Sequence, residues 1–188
     1  MKYLILITLW LLFCFLHSFL IHPPVERFLK TVIPARFYRL FYNLISLLSF
    51  SVAYLYLKLF FPEPKFFYLP SWITGILVLT AVFLTLWSFS FYDLKEFFGF
   101  TTKASPKFVR QGPLKYVRHP LYLAALLLIW SESFNQARFI VNIILSVYLL
   151  IGINLEEKKL IQLFGQQYEN YKKEVPALFP LPHRIFHK

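Results

Sequence analysis

The sequence of 188 residues has a single cysteine, Cys14, and only 15% of its residues are charged. One cysteine allows neither an internal disulfide nor a cysteine-based metal site, and no His-Glu-x-x-His motif is present. The sequence also lacks a P-loop and a Gly-x-Gly-x-x-Gly motif. We therefore predict no metal site and no nucleotide-binding fold of the P-loop or Rossmann type.

Apolar residues are abundant: they make up 58% of the chain, and the mean hydropathy is +0.57. A soluble protein of this size could not bury that much apolar surface. We predict one all-α integral membrane domain, residues 1–188, with about five transmembrane helices and a C-terminal amphipathic cytoplasmic helix. The predicted spans are Tyr3–Ile21, about Leu40–Phe61, Ser71 to about Phe91, about Pro120–Trp130 and about Ala137–Leu155.

Two of these spans have alternatives. A secretory signal is the alternative for the first span, but no small-x-small cleavage site follows it, so we expect a membrane helix. The fourth span is shorter than the roughly 20 residues that cross a bilayer. We expect it to be tilted, extended at its ends or partly covered by neighbouring helices.

Positive charge is distributed unevenly along the chain, which has a formal net charge of +11. All but four of the 20 lysines and arginines lie in the segments 22–39 and 92–118 and in the tail. The exceptions are Lys2, Lys58, Lys65 and Arg138. The positive-inside rule then places the N-terminus outside and the C-terminus in the cytoplasm. The basic charge therefore reflects membrane topology, and we predict no nucleic-acid partner.

The segment Glu156–Lys173 has helical periodicity, with apolar residues spaced by four, four and three. These residues are Leu160, Phe164, Tyr168 and Tyr171. Gly165 interrupts the pattern, so the segment is either one amphipathic helix on the cytoplasmic surface or two short helices.

Two polar motifs lie at the predicted cytoplasmic ends of apolar segments. Arg118 and His119 precede Pro120, which suits the first turn of a helix, and a helix N-terminus favours an anionic ligand. A basic membrane flank is the simpler interpretation. Glu156 and Glu157 close the fifth span on the same side, where they could form a charged pocket or pair with nearby lysines.

Three further polar residues fall on this side of the membrane: His17, Arg39 and Tyr42. A histidine hydrogen-bonded within the bundle is the simpler interpretation of His17, and snorkelling to headgroups is the simpler one for Arg39. A site at this face could use a soluble cofactor and still reach a lipophilic substrate in the bilayer.

The motifs in residues 107–180 resemble those of the small integral-membrane methyltransferases. The resemblance rests on Gly112-Pro113 with Val117-Arg118-His119-Pro120-Leu121-Tyr122, then Glu156-Glu157, then Phe164-Gly165-x-x-Tyr168-x-x-Tyr171 and Val175-Pro176. That group includes isoprenylcysteine carboxyl, phospholipid N- and methanethiol S-methyltransferases. The N-terminal half, with His17-Ser18 and residues 36–43, is more similar to the thiol methyltransferases and to NnrU-type membrane proteins.

The resemblance implies S-adenosylmethionine as cofactor, a bacterial inner membrane, a cofactor-binding half at residues 112–180 and a substrate side at 1–111. Glu156 would meet the amino group of the cofactor and Arg118 its carboxylate, and His17 would take a proton from a thiol. Arg39 and Tyr42 would face the substrate. The remaining implied cofactor contacts are Lys107, Phe108, Val109, Arg110, Leu114, His119, Pro120, Leu121, Tyr122 and Glu157.

One departure from the family pattern bears on the acceptor. The isoprenylcysteine enzymes carry an arginine about one turn before the acidic pair, where this sequence has Gly152. We therefore favour a small or lipophilic thiol over a carboxylate or a phospholipid amine. A sterol-type reductase using a nicotinamide cofactor is an alternative, which Leu121 and Leu123-Ala124 disfavour. A non-catalytic NnrU-like accessory protein is another.

Overall fold

The computed structural model describes residues 1–62, 64–91 and 108–180, without the side chains of residues 35 and 36. Apart from one antiparallel bridge, Phe67 with Phe134, the regular structure of these residues is helical. It comprises α1 (Lys2–Leu20), α2 (Pro23–Val32), α3 (Ala35–Phe60), α4 (Ser71–Phe89), a 3-10 turn (Gly112–Lys115), α5 (Pro120–Ile129), α6 (Gln136–Phe164) and α7 (Gln166–Glu174). The predicted all-α class is confirmed.

Four helices are long and apolar enough to cross a membrane: α1, α3 from Phe37 onward, α4 and α6. The apolar helix α5 has only 10 residues, about 15 Å at 1.5 Å per residue, or half of a hydrocarbon core of about 30 Å. The predicted multi-pass membrane protein is therefore confirmed, with the fourth predicted span short, as its sequence indicated.

The positively charged segment that follows α1, for which no helix was predicted, contains the helix α2. Pro23 and Pro24 occupy its first turn, where their missing N–H groups cost nothing. Phe28 and Val32 lie one turn apart and are both exposed, and α2 buries no residue. Such a helix suits the membrane interface. The sequence prediction missed it because the two prolines indicated a stop and the apolar stripe is short.

The fifth apolar segment and the acidic pair form one continuous helix. α6 runs through Glu156 and Glu157 to Phe164, because no helix-breaking residue lies between Leu155 and Gly165. Gly165 has a φ of 52°, a left-handed conformation that glycine adopts without strain, and it separates α6 from α7. The alternative of two helices is thus correct for residues 156–173, although the first of them extends the membrane span.

The chain forms two compact units. The first contains Met1–Tyr68 and Ser133–Leu145, in which α1 packs against α3. Its buried core consists of Leu6, Trp10, Ala53, Leu57, Phe61, Ala137 and Val141. The side-chain amide of Asn135 donates a hydrogen bond of 3.0 Å to the carbonyl of Phe61, and this bond holds the start of α6 to the end of α3.

The described residues of the second unit are 69–91, 108–132 and 146–180. α4 packs along α5, and one apolar cluster contains Val117, Leu123, Ile153 and Leu178. Gly112 begins the 3-10 turn with a φ of 55°. A Cβ atom at this position would lie 2.2 Å from the ring of Phe91, so both the conformation and the space require glycine.

The charge distribution predicts which membrane face each connection occupies. A fluorescent protein fused after residue 180 should fluoresce, because the charge distribution predicts a cytoplasmic tail, whereas alkaline phosphatase fused there should be inactive. The same reporters inserted in the connection 62–70 between α3 and α4 should give the opposite pattern. Phosphatase activity at the C-terminal position would show that the predicted orientation is wrong.

Candidate functional site

The buried carboxylate of Glu157 is the centre of a cluster of charged side chains in the second unit. Its Oε1 accepts hydrogen bonds from Arg118, 2.8 Å from Nε and 2.6 Å from Nη2. The Nε2 atom of His119 lies 3.2 Å from the same oxygen, and the Nζ atom of Lys172 lies 2.7 Å from Oε2. The Glu157 side chain is 8% exposed and that of Arg118 is 9% exposed, so this is a buried ion cluster with good geometry.

The segment after α7 is fastened to the residues that precede α5. The guanidinium of Arg118 donates to the carbonyl of Val175. The backbone amides of Arg118 and His119 donate to the carbonyls of Pro176, at 2.9 Å, and Ala177, at 3.0 Å. We call residues 175–178 the C-terminal strap. It lies beside the N-terminus of α5 and satisfies two amides that would otherwise lack partners.

Glu156 has a different environment from its neighbour. Its side chain is 45% exposed, and its Oε2 lies 3.8 Å from Nδ1 of His119. The hydroxyl of Tyr122 also lies close to this carboxylate. Successive residues of a helix point about 100° apart. The helix therefore turns Glu157 into the ion cluster and leaves Glu156 accessible.

An aromatic cluster holds the segment before the 3-10 turn against α7. Phe108 contacts the rings of Phe164, Tyr168 and Tyr171, and the hydroxyl of Tyr171 donates to the carbonyl of Leu114 at 2.6 Å. Burial, with the nearby charge of Glu157, raises the pKa of Tyr168 to about 12. Tyr168 thus stays neutral at physiological pH.

An ion pair reinforces this arrangement at the surface. The Nη2 atom of Arg110 lies 2.5 Å from Oε2 of Glu174, and its guanidinium lies over the ring of Tyr171. Arg110 therefore contacts two residues of α7, the aromatic ring of Tyr171 and the carboxylate of Glu174 at the end of the helix.

The second unit brings together most of the residues that the sequence predicts for the cofactor. Arg118, His119, Glu156 and Glu157 are in contact, and Tyr122 adjoins Glu156. The others lie on the neighbouring backbone: Phe108, Arg110, Leu114, Pro120 and Leu121 are at least partly buried, and Val109 is exposed. Lys107 lies outside the described residues. Their role toward a cofactor stays a prediction.

Two components of the site were missed. From the sequence, Lys172 has no role beyond the positive charge of the tail, and Val175-Pro176 contributes only to the family resemblance. Neither has a local signal in the sequence: Lys172 pairs with Glu157, 15 residues before it, and the strap is bonded by Arg118, more than 50 residues before it. Among the described residues, no group of three or more histidine, cysteine or acidic side chains could hold a metal ion.

In the first unit, His17 lies in a separate polar cluster. The hydroxyl of Tyr42 is 2.9 Å from a ring nitrogen of His17, and Oγ of Ser46 is 3.2 Å from Nδ1. Ser46 was not predicted, although it lies one turn after Tyr42 on the same face of α3. Arg39 is partly buried at the start of that helix. Three polar residues were predicted on the cytoplasmic side of the first unit, and the structure brings two of them, His17 and Tyr42, into contact.

The fold and its buried ion cluster define an all-α integral membrane protein with a charged site at the ends of apolar helices. The chain belongs to the NnrU family, whose model, described as NnrU protein, matches residues 5–166. The match includes the Arg-His-Pro and Glu-Glu motifs. The sequence motifs had indicated this family only for the N-terminal half, so the relationship extends further than predicted.

Curated relatives connect the chain with membrane methyltransferases, which confirms that resemblance. A methanethiol S-methyltransferase of Crocosphaera subtropica is 33% identical over 109 residues, 56% of this chain and 42% of the relative. Methanethiol S-methyltransferase 2 of Bradyrhizobium diazoefficiens is 28% identical over 195 residues, 94% of this chain and 73% of the relative. A protein-S-isoprenylcysteine O-methyltransferase of Schizosaccharomyces pombe is 32% identical over 77 residues, 39% of this chain and 33% of the relative.

The partial coverage of these alignments limits how far the activity in a relative's name can be applied to this chain. The chain spans less than half the length of the Crocosphaera subtropica relative. No solved structure matches this chain.

The ion cluster predicts that the two adjacent glutamates differ in their contribution to stability. Glu157→Gln should lower the free energy of unfolding by about 3 kcal/mol, because it leaves Arg118 and Lys172 without their shared counter-ion. The control Glu156→Gln should change it by less than about 0.5 kcal/mol. Both are measured by denaturant unfolding in detergent micelles. Equal effects of the two substitutions would contradict a structural role for Glu157.

Proposed function

We propose that this protein transfers a methyl group from S-adenosylmethionine to a small or lipophilic acceptor, with a thiol preferred. The observation that carries the proposal is the unequal environment of the two carboxylates. Glu157 is engaged by Arg118 and Lys172, whereas no described lysine or arginine pairs with Glu156. An accessible carboxylate of this kind suits a cationic ligand.

The residues present fit the charged groups of this cofactor. Its amino group would meet Glu156, beside His119 and Tyr122. Its carboxylate suits the N-terminus of α5, where the amides of Leu121 and Tyr122 fall within the first helical turn and lack intrahelical partners. We assign the carboxylate to these amides and not to Arg118, because the guanidinium of Arg118 is engaged by Glu157 and by Val175.

S-adenosylmethionine, when bound, supplies an electrophilic methyl group whose bond to sulfur breaks as the acceptor forms its new bond to that carbon. The contribution of this chain is positioning and exclusion of water. A thiol acceptor must also lose its proton, because the thiolate is the nucleophile. Our candidate base is His17, whose imidazole is oriented by Tyr42 and Ser46 and would take up that proton.

The charges around the site support a thiol over a carboxylate acceptor. A carboxylate acceptor needs a cation, and in the second unit Arg118 and Lys172 are both engaged by Glu157. Gly152 stands where the isoprenylcysteine enzymes carry an arginine. The names of the methanethiol S-methyltransferase relatives support the same preference.

Cofactor binding tests the proposal directly. Calorimetric titration of the detergent-purified protein should show binding of S-adenosylmethionine and not of NADPH. Glu156→Ala and His119→Ala should each weaken binding about tenfold, or about 1.4 kcal/mol. Glu169→Ala, which removes an exposed carboxylate of α7, is the matched control and should have no effect. Binding of NADPH alone would favour a reductase, and binding of neither would favour an accessory protein.

The role of His17 is tested by turnover. With methanethiol as acceptor, His17→Ala should reduce formation of dimethyl sulfide, measured by gas chromatography, about 100-fold. The affinity for S-adenosylmethionine should be unchanged. Activity should recover at a pH above the pKa of the free thiol, because the acceptor then ionises without a base. Full turnover of His17→Ala at neutral pH would exclude His17 as the base.

A further inference from the structure

Gly152 lies on α6 one turn before Glu156, and the side chain of Tyr122 covers it. A Cβ atom at position 152 would lie 3.2 Å from Cε1 of Tyr122 and 3.3 Å from its hydroxyl oxygen. Even a methyl group would therefore require the tyrosine ring to move by a few tenths of an ångström. The close approach of this ring to α6 depends on the absence of a side chain at position 152.

That close approach is what brings the Tyr122 hydroxyl near Glu156, since residues four apart on a helix lie on the same face. The ring of Tyr122 also packs edge-to-face on the imidazole of His119, with ring centroids 5.5 Å apart. The other side of that imidazole is within 3.8 Å of Glu156. The accessible carboxylate is thus bounded by the side chains of His119 and Tyr122, which also contact each other.

We propose that Gly152 is a positioning residue for the cofactor. Its lack of a side chain lets Tyr122 lie against α6 with its ring on His119 and its hydroxyl beside Glu156, and these two side chains hold the carboxylate of Glu156 in the orientation that receives an ammonium group. The inference rests on the proposed function, because Glu156 is assigned there to the amino group of S-adenosylmethionine. Gly152 and the side chain of Tyr122 act through Glu156 and touch no reacting atom in this scheme.

A second helical glycine provides the comparison that isolates this effect. Gly75 lies in α4 of the same unit, and a Cβ atom there would have no neighbour within 4 Å. Substitution of either glycine changes helix propensity in the same direction, because alanine and leucine are better helix formers than glycine. Only substitution at position 152 meets the tyrosine ring.

The first experiment detects the contact without any ligand. The full chain is prepared with 3-fluorotyrosine at position 122, and its fluorine resonance is recorded in detergent micelles. Gly152→Leu and Glu156→Gln should each shift the resonance, and Gly75→Leu should leave it unchanged. An unchanged resonance in Gly152→Leu would overturn the inference.

The second experiment measures the affinity for S-adenosylmethionine by calorimetry. Gly152→Leu should weaken binding at least tenfold and Gly152→Ala by a smaller factor. Neither substitution should lower the melting temperature. The control Gly75→Leu should bind like the unsubstituted protein. If Gly152 acts through the Tyr122 hydroxyl, Gly152→Leu combined with Tyr122→Phe should bind no more weakly than the weaker single variant. Additive losses, or wild-type affinity in Gly152→Leu, would overturn the inference.

The two experiments separate failure of this inference from failure of the proposed function. If the unsubstituted protein binds S-adenosylmethionine and the fluorine resonance does not respond to position 152, the function stands and the inference is wrong. If the resonance responds as expected but no S-adenosylmethionine binds, the proposed function fails, and the positioning role toward the cofactor fails with it.

Discussion

The second unit depends on the neutralisation of one buried charge. A carboxylate removed from water at the end of an apolar helix is costly unless cations and hydrogen-bond donors surround it. Glu157 meets this requirement with Arg118, His119 and Lys172, which come from the segment before α5 and from α7. The cluster therefore fixes three separate parts of the sequence at once, and the guanidinium that serves Glu157 also holds the C-terminal strap.

The same cluster determines what remains available for a ligand. Because Arg118 and Lys172 are engaged by Glu157, the neighbouring Glu156 keeps its negative charge exposed beside His119 and Tyr122. Two identical side chains that are adjacent in the sequence thus have separate roles, one in stability and one in the proposed binding of a cation. The difference comes from the helical rotation between them and from the direction in which α7 approaches.

Sequence reasoning succeeded where hydropathy and spacing determine the structure, and it failed where contacts between distant residues do. The all-α membrane class, the short fourth span and the association of Arg118 with the acidic pair follow from composition, span length and loop charge. The end of α6 could not be predicted in this way, because hydropathy falls after Leu155 whereas the helix continues until the helix-breaking residue Gly165. The partner of Lys172 was equally hidden, since its spacing from Glu157 in the sequence carries no periodic signal.

Electrostatics connects the exposed carboxylate with the choice of acceptor under the proposed function. Two like charges about 5 Å apart repel by about 3 kcal/mol at an effective dielectric constant of 20. A carboxylate acceptor near Glu156 would incur that penalty, because Arg118 and Lys172 are already engaged by Glu157, whereas a neutral thiol would enter without it. Deprotonation then gives a thiolate, whose negative charge is opposite to that of the sulfonium. Transfer of the methyl group cancels both charges, and exclusion of water by the bound substrates would favour that loss of charge.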